Sequence, residues 1–334
     1  MSAGGGNKAI IAALAANLSI AVAKFVAFLI TTSSSMLAES IHSVADSGNQ
    51  VLLLVGGKKA ERKRTREHPF GYGRERYFYA FVVAVVLFTI GALFSLYEGW
   101  HKISDPHPVE TPVVAFGVLI FAIIAEGFSF RTAIKESNPI RGKQSWLQFI
   151  RRSKSPELPV IVLEDFGALV GLVLALAGVT MAVITGNGVW DGVGTMAIGV
   201  LLAVIAAILA VETKSLLIGE SAGPEVERKI CAALEGTPEV ARVIHMRTLH
   251  LGPEEILVAA KIAVDHDDTA AMVARGIDEA EQRIRAAVPT ARVIYLEPDL
   301  DRAAAGGSPA PADGSSAPAG DSPAPADDPS LSRP

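Results

Sequence analysis

Two residues in SSMLAESIHSVADSGNQVLLLVGG, residues 34–57, stand at a spacing that suits metal chemistry. His42 and Asp46 are four apart, so a helix stacks an imidazole above a carboxylate on one face,. A divalent ion such as Zn²⁺ accepts both ligand types. The plainer alternative is a His–Asp hydrogen bond that joins helices. The surrounding apolar residues decide between them, because a carboxylate at mid-bilayer costs on the order of 2.5–3.5 kcal/mol on insertion scales. A bound cation accounts for that cost better than a helix tie. Taking Glu39 as zero at about 100° per residue, His42 lies near −60°, Asp46 near −20°, Asn49 near −80° and Gln50 near +20°,. These polar residues form a single stripe, as intramembrane ionisable groups do when they line a site or a pathway.

Two ligands do not complete a tetrahedral site. The second half is expected in PVIVLEDFGALVGLVLALAG, where Glu164 and Asp165 form the other deep carboxylate pair. At 1.5 Å per residue, Asp165 lies about 10 Å in from one surface and Asp46 about 16 Å in from the other, so they can meet near the midplane. Neighbouring residues point about 100° apart, so one carboxylate is expected to bind while the other supports it or carries protons. Gly167, Gly171 and Gly178 follow at a spacing that lets another helix approach closely,. Asn17 could face the site or simply bond a neighbouring helix. Glu126 could serve entry or proton transfer, or sit in an interfacial ion pair. Glu39 and Asn49 are read as groups that support the ligands or line a proton pathway.

The elements that position these residues follow from hydropathy. The chain has 334 residues, 50% apolar and 19% charged, which is low in charge for a soluble protein,. Windows of about 20 apolar residues span a bilayer, and six occur, at about 9–30, 35–57, 77–100, 112–134, 158–184 and 190–211. Backbone polar groups must be satisfied within each segment, so the windows are helices. The apolar segment after MSAGGGNK is read as a retained span and not as a cleaved leader,. Lys and Arg crowd the loops after the second and fourth spans, whereas the other connections hold only Lys102. Both termini are therefore expected to be cytoplasmic. The basic loops are read as topology signals beside anionic lipid, with no nucleic-acid role. One cysteine, Cys231, excludes a disulfide framework and a cysteine zinc site within one chain,.

From about Lys214 the composition becomes that of a soluble α/β domain. GPEVERKICAALEG is a helix with Pro near its start and Gly236 at its end. ARVIHMRTLHLG and EEILVAAKIAVD are strands around a Gly252–Pro253 turn, a helix follows with Met272, Val273, Ile277, Ala280 and Ile284 on one face, and RVIYLEP is a last strand,. The α-β-β-α-β order predicts a ferredoxin-like domain over 214–300, after a transmembrane domain over 1–213. The Pro- and Ala-rich tail, 301–334, is expected to be disordered. Asp191 is expected to cap the last span. Glu212 and Glu220 are expected to form charge interlocks between subunits.

These residues resemble the cation diffusion facilitator family over about residues 8–300. SSSMLAESIHSVADSGNQ, EHPFGYGRER, and WDGVGTMAIGVLL running into KSLLIGES carry the resemblance. The ED pair with the HSVADSGNQ variant looks like the branch that includes the animal zinc transporter nine type. The resemblance implies a dimeric exporter, not an enzyme, that moves Zn²⁺ or a related ion out of the cytoplasm in exchange for H⁺. It is expected in the cell (inner) membrane, with no prosthetic group. It also implies a tetrahedral site with two ligands from the second span, matched by His42 and Asp46, and two from the fifth, of which Asp165 matches one. Ile161 stands where the family's other histidine is expected, leaving Glu164 or water as fourth ligand. That loss shifts preference toward Mn²⁺, Co²⁺ or Fe²⁺. A loop site reduces to His68 beside Thr65 and Tyr72, so HPFGYG is read as a turn. His245 matches one end-domain ligand but is joined by Ala260 and Leu296, so that domain is expected mainly to dimerise. A membrane metallohydrolase would need a base beside the metal, as in H-E-x-x-H, and none occurs,. A non-transporting scaffold would leave the buried charge unexplained.

Overall fold

Long apolar runs separated by short polar connections fold into helical rods. They are α1 (Gly4–Thr31), α2 (Ser34–Ala60), α3 (Glu75–Val86), α4 (Phe94–Ser104), α5 (Pro112–Arg141), α6 (Trp146–Arg152), α7 (Glu157–Thr185) and α8 (Val189–Ile218). The structure is a computed structural model that describes residues 4–31, 34–107 and 111–300, without the side chains of 4–6, 31, 34–39, 41, 42 and 45. The expected disordered tail lies outside the described residues, as do the side chains of Glu39 and His42. A π-helical turn, Leu87–Leu93, joins α3 to α4 in one rod, which the hydropathy pattern does not reveal. The short α6 lies in what reads as basic loop. It starts with a reciprocal capping box between Ser145 and Gln148,.

Among the described residues, five rods are long and apolar enough to cross a membrane: Asn7–Ile30, Glu75–Ser104, Pro112–Arg141, Glu157–Thr185 and Val189–Ile218. Their outward surfaces suit lipid, since Leu29, Val113, Ile124, Phe128 and Ile184 are each more than half exposed. The polar stripe keeps α2 out of that set. It completes the bundle by packing between α1 and α3.

The seam between α4 and α8 is made by glycines. A Cβ on Gly99 would lie 2.6 Å from the Met196 backbone nitrogen, and one on Gly199 would lie 2.8 Å from that of Leu96. Across α7 and α8, a Cβ on Gly178 would meet the Trp190 carbonyl at 3.0 Å, and one on Gly167 the Ile205 side chain at 2.5 Å. The small-residue spacing in the fifth span therefore does allow close approach.

The C-terminal unit consists of α9 (Pro224–Glu235), β1 (Arg242–Gly252), β2 (Glu255–Val264), α10 (Ala270–Ala287) and β3 (Ala291–Leu300). The sheet runs β1-β2-β3, antiparallel in its first pair and parallel in its second. Ile230, Leu234, Val258, Ile262, Ala280 and Ile284 form its core. Met272, expected on the buried face of α10, is 37% exposed, and Gly276 takes its place against Glu239. His245 is exposed and His250 buried, so they do not share a face.

Both basic loops meet this unit. A Cβ on Gly73 would come within 2.7 Å of the Leu251 carbonyl oxygen, so the loop after α2 lies backbone to backbone on the β1–β2 turn. Arg64 pairs with Glu255, and Lys154 with Glu220. Arg151 reaches Glu212 at 3.6 Å. Glu212 and Glu220 thus each have a basic partner within the chain. Asp191 is also reassigned. Gly188 is the N-cap of α8, and Asp191, one turn in, binds Lys102 at 3.0 Å. His68 sits in a turn, its backbone N–H donating to Thr65 Oγ1 at 3.1 Å and its ring against Tyr72.

Two outcomes follow. Gly99→Leu should overpack the α4–α8 seam and lower stability by about 1–3 kcal/mol. Gly117→Leu, where a Cβ meets nothing within 4 Å, should leave the unfolding midpoint in detergent unchanged. His250 lies at the junction beside Lys154 and Glu220, with its backbone N–H donating to the Glu220 carbonyl at 2.9 Å. Burial holds its imidazole below the usual range, against the opposing bond to the Gly252 carbonyl. The unfolded chain therefore takes up a proton that the fold resists, and stability falls as pH drops through about 6.5. His250→Gln should flatten that acid-side loss in midpoints measured from about pH 7.5 to 5.5.

Candidate metal centre

Three helices bring carboxyl groups to one region of the bundle: α2 through the half-buried Asp46, α5 through the buried Glu126, and α7 through the buried Glu164 and Asp165. Glu126, Glu164 and Asp165 are 2%, 7% and 1% exposed, so solvent does not screen them. Glu126 lies within the electrostatic reach of Asp165, Glu164 and Asp46, and Glu164 within that of Asp46 and Asp165.

The adjacent pair on α7 diverges, as 100° of helical rotation requires. Glu164 turns to α2. Its Oε1 accepts from Asn49 Nδ2 at 2.8 Å and its Oε2 from Gln50 Nε2 at 3.0 Å. Gln50 Oε1 in turn accepts from Asn17 Nδ2 at 3.3 Å, which ties α1 to the same network. Asp165 turns instead to α5, where Ser129 Oγ donates to its Oδ2 at 2.8 Å and the Glu126 carboxyl bonds it as well.

Asn17, Asn49 and Glu164 therefore belong to one hydrogen-bonded set with Gln50, and Glu126 and Asp165 to a second with Ser129, with Asp46 in electrostatic reach of both Glu164 and Glu126. Among the described residues, no three His, Cys, Asp or Glu side chains converge closely enough to hold a metal ion as they stand. His42 and Glu39 lie outside the described side chains. Ile161, where a histidine would be expected, is fully buried in the apolar core with Ile10, Leu53 and Val160. One acceptor stands apart, since Asn49 Oδ1 is buried with no hydrogen-bond partner. Sequence reasoning assigned no role to Gln50 and missed Ser129. The only signal for Ser129 is its position three residues after Glu126, on the same helical face,.

A carboxylate held by two amides depends on both. Gln50→Leu should leave Glu164 Oε2 unpaired and lower stability by about 1–3 kcal/mol. The double variant Gln50→Leu/Glu164→Leu should recover part of that loss in thermal unfolding.

The family of the cation efflux transmembrane domain matches residues 10–218, and that of the cation efflux protein cytoplasmic domain matches residues 222–299. The mitochondrial proton-coupled zinc antiporter SLC30A9 of Homo sapiens is 31% identical over 244 residues, covering 72% of this chain and 43% of that protein. The chain thus spans less than half the length of that relative. Metal tolerance protein C4 of Arabidopsis thaliana is 27% identical over 76% of this chain and 56% of its own length. The manganese efflux system protein MneP of Bacillus subtilis is 24% identical over 78% of this chain and 85% of its own. With a transmembrane and a cytoplasmic domain matched in order, and buried carboxyls at the heart of the first, the chain belongs to the cation efflux (cation diffusion facilitator) family, whose members are multi-pass membrane transporters of metal ions and not enzymes.

Proposed function

We propose that the chain exports a divalent cation, Zn²⁺ foremost, from the cytoplasm in exchange for protons. His42, Asp46 and Asp165 coordinate the ion in passage. One observation carries this reading: carboxyl groups of α5 and α7 are buried within electrostatic reach of Asp46 on α2, a costly arrangement unless a cation uses it,. Glu164, bonded by Asn49 and Gln50, anchors α2 to α7 beside that ion.

Proton coupling follows from ligand chemistry. Carboxylate and imidazole bind metal only when deprotonated, so protons and metal compete for the same atoms. Histidine exchanges protons near neutral pH, which suits His42 to the role. The proton-coupled zinc antiporter among the relatives supports this pairing of ion and proton.

The working unit is a homodimer joined through the C-terminal domain, in the cell's inner membrane with both termini cytoplasmic. In support, both basic loops lie on the side of that domain, through Arg64 and Lys154. A second reading keeps the fold and changes the ion to Mn²⁺, Fe²⁺ or Co²⁺. The oxygen-rich interior and the apolar Ile161 favour it,, as does the resemblance to a manganese efflux protein.

Proteoliposomes with an acidic lumen should take up Zn²⁺ faster than vesicles without a gradient, read by a lumenal dye. Asp46→Ala should slow that uptake at least about tenfold. Wild-type transport by Asp46→Ala would sink the ligand assignment, and faster Mn²⁺ than Zn²⁺ flux would reverse the choice of ion.

A further inference from the structure

Glu164 and Glu126 both stand near Asp165, and their surroundings separate them. Glu164 has both oxygens bonded to amides of α2, at 2.8 and 3.0 Å. To reach an ion beside Asp165 it would have to leave two buried donors without acceptors. Glu126 faces the other way. It is 2% exposed, it bonds the Asp165 carboxyl directly, and Asp46 and Glu164 are the other charges that act on it. The contact sets a carboxyl of α5 beside a carboxyl of α7.

A second observation lies on the α2 side of Glu164. Asn49 Oδ1 is buried and has no hydrogen-bond partner, although the Nδ2 of the same amide bonds Glu164. The nitrogen end is fixed by that contact, because a carboxylate accepts and does not donate. An orphaned carbonyl oxygen beside a cluster of carboxyls lacks a positive partner. A divalent cation supplies one, since amide carbonyls and carboxylates are both ligands for hard ions.

We propose that Glu126 of α5 is the fourth ligand of the transported ion, with Asn49 Oδ1 as an adjoining oxygen donor. The proposal rests on the assignment of Asp46 and Asp165 above. It replaces a set from two helices with a set from three, and it adds a further carboxylate to a set in which oxygen already outnumbers nitrogen. Such a set discriminates less sharply for Zn²⁺ and admits Mn²⁺ and Co²⁺.

The test is equilibrium binding of Zn²⁺ and of Mn²⁺ to the purified full chain in detergent, with size-exclusion elution confirming that each variant is folded. Glu126→Gln should weaken both ions at least about tenfold, while Glu225→Gln, at the exposed start of α9, stays near wild type,. Glu126→His should shift the Zn²⁺:Mn²⁺ affinity ratio toward Zn²⁺ by about tenfold, a change that a merely structural role would not produce. Wild-type binding by Glu126→Gln, or an unchanged ion ratio in Glu126→His, overturns the proposal. Asp165→Asn distinguishes the two levels. If it too binds as wild type, the underlying site reading fails. If it alone loses binding, only the role of Glu126 falls.

Discussion

No carboxylate can stay inside an apolar bundle without partners, and this constraint organises the membrane half of the molecule. Each buried acid meets a group from a different helix. Glu164 of α7 is held by Asn49 and Gln50 of α2, Gln50 by Asn17 of α1, and Asp165 of α7 by Ser129 of α5. Four helices are therefore tied at one level by their most expensive atoms. Hydrogen bonds in membranes average only about 0.6 kcal/mol, because polar groups find partners in the unfolded reference state as well. The network's main effect is thus to specify which helix faces which. A rotation of α7 by one residue would bring Asp165 to the place of Glu164 and turn Glu164 away from α2.

A different interaction holds the rest. Where α4 meets α8, glycines bring backbones into contact, and neither Gly99 nor Gly199 leaves room for a methyl group. Such a seam rests on shape alone and tolerates little sliding. The polar ties around Glu164 can exchange one donor for another at smaller loss. The ties among α1, α2, α5 and α7 are therefore exchangeable bonds, whereas α4 and α7 each meet α8 at a fixed surface. That division is what a bundle needs if it is to pass an ion without coming apart.

Much of this was legible in the sequence because it depends on period and composition. The apolar spans, the glycines of α7 and the α-β-β-α-β order all follow from one-dimensional patterns. What could not be read depends on which groups meet in space. Glu164 and Asp165 are neighbours in the chain, and only the positions of α2 and α5 send one to amides and the other to a serine and a glutamate. Ser129 is an ordinary residue until Asp165 faces it. Glu212 and Glu220 look like partners in search of another subunit until Arg151 and Lys154 arrive from the loop after α5. The π-helical turn at Leu87–Leu93 leaves no mark in hydropathy.

Ile161 connects these levels. A histidine there would stand one turn before Asp165 and give α7 two ligands. The isoleucine is instead fully buried among Ile10, Leu53 and Leu209, filling the apolar core. Once that position belongs to the core, α7 has Asp165 alone to offer on this face, because Glu164 points toward α2. Any ion held near Asp165 must then draw its remaining ligands from other helices. The acidic residue that packs against Asp165 is on α5, and the unsatisfied oxygen is on α2. A single apolar substitution within one helix would thus change both the chemistry of the site and the number of helices that must close around it.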